Sequence, residues 1–395
     1  MVSPVVRFAL CAASLVLSAA PILAFTGDAF FGDPPDQHHP WAVHDQNRPQ
    51  PPIVTPGTFS SPDQPGKPPS DAVVLFDGTP ASLTDNWQSD KKEGGPTQWV
   101  VHDGAMECVP KSGYVRTKEL IGDCQLHVEW AAPVKVQGNS QGRGNSGIFL
   151  MGICEVQVLD NYNNPTYSDG TANAIYAERP PLVNPLRPPG EFQVVDIVFR
   201  RPIYKDGKAL DPGYITVFCN GVLVQDHSMI EGANGWKRRT VPGPFPEKGP
   251  LKFQDHGNPV RYRNVWYRPL PPRAVEGGTD GPLSVEATMA KRHEIAAGIR
   301  ADVAKMTPGV AAMLRLAESL VYEQDLAVLK QVQTWHSQFV ASLASLSPAE
   351  LKAKEGEVKT VFRDFAYLEK FKIIPADFGG QAELTKLVKA QGWEK

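Results

Sequence analysis

The chain has 395 residues, too many for one ordinary hydrophobic core, so two or three domains are expected. Its 40 basic and 43 acidic residues leave a formal charge of −3 and a pI near 6.3. This excludes a broad basic surface for nucleic acid and an acidic solvating tail, and points to an uncharged or weakly charged ligand.

Met1 to Ala24 carries one positive charge at Arg7, an apolar run from Phe8 to Ala20, and small residues before Phe25. Residues 1–24 thus read as a secretory signal peptide, and the mature protein is expected in the periplasm or outside the cell. The run is too short to span a bilayer, and no later stretch reaches the ~18 apolar residues a membrane helix needs. Cys11 follows Phe8-Ala9-Leu10 inside that run, where a lipidated cysteine would follow small residues, so lipidation is disfavoured. Residues 25–70 are dense in Pro, Gly, Asn and Asp and should form an extended arm. His38, His39 and His44 beside Asp45 lack the spacing of a helix or hairpin ligand set, which favours a solvated or sandwich-hugging arm over a metal site.

From 71 to 270 the pattern is one of short apolar or alternating runs, among them Gln125 to Trp130, Gly147 to Met151, Glu155 to Leu159 and Val194 to Phe199. Asp103-Gly104, Asp206-Gly207 and Asn220-Gly221 supply hairpin turns between them. Without helical crossovers the sheets must be mostly antiparallel, which predicts a mostly β domain, a sandwich or jelly roll. Cys124 shares strand parity with Leu126 and Val128, and Cys154 with Val156 and Val158. With no CxxC pair among Cys108, Cys124, Cys154 and Cys219, buried free thiols are favoured over disulfides. A linker at 271–283 then leads to a helical period over 284–395, where three long helices and a short fourth are expected. Thr307-Pro308 and Ser347-Pro348-Ala349-Glu350 read as helix starts.

Gly142-Arg143-Gly144-Asn145-Ser146-Gly147 spells G-x-G-x-x-G. A polar loop precedes it and a strand follows, so the helix N-terminus that would hold a pyrophosphate is missing and nucleotide binding is rejected. Ser146 likewise lacks the strand-to-helix elbow of a hydrolase nucleophile.

Glu155-Val156-Gln157-Val158 alternates, which puts Glu155 and Gln157 on one face of a strand and both valines on the other. A solvent-facing strand would alternate too. The Gly-rich loop from Arg143 to Gly147, and His127 alternating with Glu129 on another strand, raise the case for a sugar-binding concave face. A second cluster, Gln254-Asp255-His256-Gly257-Asn258, precedes the strand to Tyr267. It is either a turn stapled by its own Asp and Asn or a loop whose histidine titrates near neutral pH over a cleft.

Leu75-Phe76-Asp77-Gly78, Gly144-Asn145-Ser146-Gly147-Ile148-Phe149-Leu150, Glu155 to Asp160, Ala174-Ile175-Tyr176 and Gln254 to Asn258 together resemble, in order and spacing, the 3-keto-disaccharide hydrolase domain family over about residues 71–270. That resemblance implies a concanavalin A-like jelly roll of two antiparallel sheets. It also implies an oligosaccharide or glycoside substrate whose C3 is a ketone. The C2 proton is then acidic, a base can remove it, and the C1 substituent leaves by β-elimination before water adds to the glucal. On this reading Glu155 and His256 carry the acid–base work, and Asp255 orients the histidine or joins a metal shell. Arg143, Asn145, Gln157, Tyr176 and Gln254 bind sugar hydroxyls or the enolate, which a divalent metal ion could also hold. The alternative is a lectin-like module that binds carbohydrate without catalysis. In the helical segment Trp335, Phe339, Phe362, Phe365 and Tyr367 are expected to close a core rather than dock a protein partner.

Overall fold

The computed structural model describes residues 32–394 apart from 92, 280 and 377. The expected signal peptide and Cys11 lie outside the described residues. Contacts divide the chain into one unit of Pro51–Gly278 and another that joins the residues up to Gln50 with Thr279–Lys395. The proline-rich stretch is therefore shared between the two units.

The first unit contains β1 (Val73–Phe76), α1 (Pro80–Asn86), β2 (Trp87–Ser89), β3 (Val100–His102), β4 (Ala105–Glu107), β5 (Val115–Ile121) and β6 (Cys124–Ala131). It continues with β7 (Ser146–Leu150), β8 (Cys154–Val158), β9 (Gln193–Arg200), β10 (Ile203–Lys205), β11 (Lys208–Asp211) and β12 (Gly213–Cys219). Last come β13 (Val222–Ile230), β14 (Gly232–Ala233), β15 (Val241–Pro242), β16 (Gly249–Phe253) and β17 (Arg261–Pro269). One eight-stranded antiparallel sheet runs β13-β12-β9-β6-β17-β4-β3 with β1 also on β17, and a five-stranded one runs β2-β5-β16-β7-β8.

The two sheets form a jelly-roll sandwich, closed by one core to which both contribute. An aromatic stack crosses it: Trp87 lies 4.9 Å from Phe253 of the small sheet, and Phe253 lies 4.0 Å from Tyr262 of the large one, with the latter rings 3° from parallel. Tyr262 donates to Ser146 Oγ (2.7 Å), which donates to the Gln254 carbonyl (2.6 Å), so Ser146 is a buried tie between sheets. Cys108, Cys124, Cys154 and Cys219 are free and buried. The three expected turns are where the sequence puts them. Asp103-Gly104, Asp206-Gly207 and Asn220-Gly221 join β3–β4, β10–β11 and β12–β13, each pair with positive φ at both residues, the geometry that hairpin twist demands.

The described residues of the helical unit form six helices, two more than the periodicity suggested: α2 (Val285–Val303), α3 (Val310–Tyr322), α4 (Leu326–Leu343), α5 (Pro348–Ala353), α6 (Glu355–Lys370) and α7 (Gln381–Gln391). Ser347 caps α5 with Pro348 in the first turn and Glu350 closing the capping box, as read. Thr307 does not cap a helix. The chain enters α3 at Gly309, two residues later, because Met306 still belongs to the turn that ends α2. Phe365 is fully buried, with Trp335, Phe339, Phe362 and Tyr367 packed around the same core. None of the described helices is long and apolar enough to cross a membrane.

Candidate active site on the five-stranded sheet

The register of the small sheet puts Gln88, Arg116, Lys252, Phe149 and Glu155 directly opposite one another across all five strands. Their neighbours Trp87, Val115, Phe253, Ile148 and Val156 face the core, so period-2 alternation turns this polar row to the outer face. At the β5 end the row is paired: Asp90 takes Lys252 at 2.9 Å and Arg116 at 3.6 Å. At the β8 end it is not.

Glu155 is 5% exposed and has no cationic partner among the described residues. Burial disfavours its ionised form and pushes its carboxyl up to about 8. The amide of Gln157, two residues on, is 2% exposed; oriented to satisfy its surroundings, it donates to Glu155 Oε1 (3.2 Å) and to the Ser146 carbonyl (3.1 Å). Gly147 stands opposite Gln157, and its missing side chain makes the room: a Cβ there would lie 2.2 Å from Glu155 Oε1 and 2.9 Å from the Phe149 ring. Two further contacts fix the strand. Glu155 N–H donates to Asn234 Oδ1 (3.0 Å), and Asn234 Nδ2 donates back to the Glu155 carbonyl (3.1 Å).

Asn145 is buried nearby, donating through Nδ2 to the Gln141 carbonyl (2.8 Å), while its Oδ1 is buried without a partner. Arg143 is committed elsewhere: its guanidinium grips Asp160 (2.7 and 3.2 Å) and the Tyr162 carbonyl (3.0 Å). Gln254 follows β16, its N–H bonded to the Gly147 carbonyl (3.1 Å) and its Nε2 donating to the Tyr114 hydroxyl (2.8 Å). The Tyr114 oxygen thus accepts, and its own proton is left to donate. Tyr176 lies beyond the β8 edge; its N–H donates to the Glu155 carbonyl (3.1 Å) and its hydroxyl meets that of Tyr167 (3.0 Å).

Asp255 does not hold the imidazole of His256. Its carboxylate accepts from Gly113 N–H (2.9 Å) and Gly257 N–H (2.9 Å), which makes it the staple of its own turn. Burial would raise its pKa, but these backbone donors and that of Lys111 outweigh burial and hold it below the usual range. His256 is exposed, at a turn separated from Glu155 by the single intervening strand β7 and four residues past Lys252, the β16 residue level with Glu155, so the offset is roughly 10 Å across the sheet and about 13 Å along it. Among the described residues no group of three or more His, Cys, Asp or Glu is placed to hold a metal ion, so the side chains here do not fit a protein-ligated metal.

His127 and Glu129, expected to share this face, are on the other sheet. They lie on its outer side beneath the arm, where Ser60 and Arg263 reach Glu129 at 2.6 and 2.7 Å and Arg263 also takes the Ser61 and Asp63 carbonyls (2.7 and 2.9 Å). Sequence reasoning passed over Tyr114, Asn234, Phe149 and Trp236. Tyr114 and Phe149 carried only a parity signal; Trp236, set between Gly235 and three cations, was the clearer cue.

Residues 71–268 match the model of the 3-keto-alpha-glucoside-1,2-lyase-like domain. A solved structure of a candidate glycosyl hydrolase from Parabacteroides distasonis is 43% identical, with a TM-score of 0.53, over 56% of this chain and 93% of that one. A second from the same bacterium is 21% identical, with a TM-score of 0.37, over 51% of this chain and 94% of that one. No curated protein matches.

Proposed function

Because the chain belongs to the 3-keto-alpha-glucoside-1,2-lyase-like domain family, a glycosyl hydrolase-like, carbohydrate-active group, we propose that it cleaves 3-keto-glycosides by β-elimination and hydration, as an exported enzyme. The observation that carries this reading is the state of Glu155, a nearly dry carboxyl with no neutralising cation among the described residues, poised close to neutral pH. A binding module has no use for such a group. A proton-transfer enzyme does, since transfer is most effective when the catalytic pKa lies near the working pH.

Glu155 takes the proton from C2, and the electrons pass to the C3 carbonyl as an enolate. Collapse of the enolate forms the C1=C2 bond and expels the C1 oxygen, which is protonated as it leaves. His256, at the open end of the same sheet, is the second acid–base group. The free hydroxyl proton of Tyr114 is the donor available to the enolate oxygen or a ring hydroxyl, the unpartnered Asn145 Oδ1 is an acceptor for a ring hydroxyl, and Gln157, with its amide protons on Glu155 and the Ser146 carbonyl, steadies the base. Water then adds across C1=C2 to give the free 3-keto sugar. Arg143 and Asp255 support this as fixed struts beside the site, and Gln254 and Tyr176 as its walls.

The test is release of aglycone from a 3-keto-α-glucoside by wild type, Glu155→Gln and His256→Ala. Loss of about 10²–10⁴-fold in kcat for Glu155→Gln, with unchanged circular dichroism, is expected. Unaltered turnover would remove Glu155 from the mechanism. No turnover in the wild type, with saccharide still bound, would favour the binding-module reading.

A further inference from the structure

Beside the β8 edge lies a hollow of about 410 Å³, lined by Tyr167, Tyr176, Trp236 and the consecutive cations Lys237, Arg238 and Arg239. Trp236 is 67% exposed. Asp169 is the one acid in the lining, and among the described residues none of the three cations forms an ion pair. Lys237 instead sits with Nζ 4.6 Å from the centre of the Trp236 ring.

This arrangement is built rather than loose. Asn234 bolts the loop to the backbone of Glu155 by two hydrogen bonds, and Glu178 takes Glu231 N–H (2.8 Å) and the Thr240 hydroxyl (3.4 Å) on either side of the cations. Three like charges are thus held together in a chain whose net charge is −3. Their mutual repulsion is relieved by a ligand of opposite sign.

We propose that this hollow binds an anionic substituent, a carboxylate or sulfate, of a saccharide, whose sugar ring stacks on Tyr176 or Trp236. This rests on the reading of Glu155 as the reacting group, and makes the substrate class an acidic or sulfated glycoside cleaved at the neighbouring carboxyl. Tyr176 links the two places, since its ring lines the hollow while its N–H holds the Glu155 carbonyl.

Calorimetric titration with methyl α-glucoside, methyl α-glucuronide and methyl α-glucoside 6-sulfate tests it, on wild type, Glu155→Gln and the double variant Arg238→Gln/Arg239→Gln. At low salt at least one anionic probe should bind roughly tenfold tighter than the neutral one, weakening as salt rises. Whichever anion leads identifies the substituent. The double variant should lose the preference while keeping its melting temperature and its affinity for the neutral probe. Equal binding of all three probes, no measurable binding of any, or a preference that survives the double variant would each overturn the assignment. Glu155→Gln should retain the preference, so failure of the elimination reading is distinguishable from failure of this one.

Discussion

Replacing Glu155 with Gln should change how stability depends on pH as well as activity. A carboxyl with an unfolded pKa of 4.5 and a folded one of about 8 is protonated in the folded state over an interval where the unfolded chain has already released its proton. The folded state binds more protons there, so this group makes stability fall as pH rises through the interval. Each tenfold in the proton equilibrium is worth about 1.4 kcal/mol, so the whole interval amounts to about 5 kcal/mol. At 5% exposure there is little solvent screening to reduce that figure. Urea unfolding of wild type and Glu155→Gln, followed by tryptophan fluorescence at pH 5, 6.5 and 8, isolates the effect, because every other titrating group cancels in the difference. Gln should be neutral or mildly destabilising at pH 5 and should become the more stable protein, relative to wild type, by several kcal/mol at pH 8. Parallel pH profiles would mean that Glu155 ionises at an ordinary value, and the poised carboxyl on which the mechanism depends would be gone.

Gly147→Ala should displace the Glu155 carboxylate from the place a Cβ would occupy, lowering kcat by about 100-fold with the sandwich still folded; kinetics beside near-ultraviolet circular dichroism checks this. Arg263→Met should leave the fully buried Glu129 carboxylate with His127, Ser60 and Asn264 but without its guanidinium, at a cost of about 3 kcal/mol, and expose the arm around 58–67 to protease, read by urea unfolding and mass spectrometry of the first cuts. His127 adds a pH dependence of the same sign through a group that is charged, not neutral, when protonated. Burial alone would lower it, but Asp196 and Glu129 overcome this and raise it to about 9. Its stabilisation is complete below its unfolded value of 6.5 and lost as pH climbs toward 9, so in the Glu155→Gln background His127→Gln should flatten stability over that range.

What could be read in advance followed from local rules. Alternation put Glu155 and Gln157 on one face, and Asx-Gly pairs marked three hairpins, because strand parity and positive φ are decided within a few residues. Parity gives a face but not a sheet. His127 and Glu129 alternate as Glu155 and Gln157 do, yet β6 lies in the large sheet and β8 in the small one, a separation set by long-range pairing that no local pattern encodes. The turn at Asp255 was legible as a loop stapled by its own side chains, and its carboxylate contacts with Gly113 and Gly257 have that form. The hollow at Trp236 depends on Asn234 reaching a strand 79 residues earlier, so its residues could be seen in sequence but not their neighbour.

The two buried glutamates of the sandwich give the strongest argument about where the chemistry lies, because the same side chain meets opposite treatment in one domain. Glu129 is fully buried, which would raise its pKa, but His127, Ser60, Asn264 and Arg263 crowd it and drive the value down instead. Its Oε1 meets Ser60, Asn264 and His127 and its Oε2 accepts from Arg263, contacts that help fasten the arm to the sheet. Glu155 is buried almost as deeply, yet its strand neighbours offer it one amide and no cation, and Asn145 close by keeps an unpartnered buried oxygen. Unmet polar groups of this kind cost stability. Glu129 meets four partners and Glu155 one amide, and under the elimination proposed above a sugar with an acidic C–H and hydroxyls to donate would supply what Glu155 lacks.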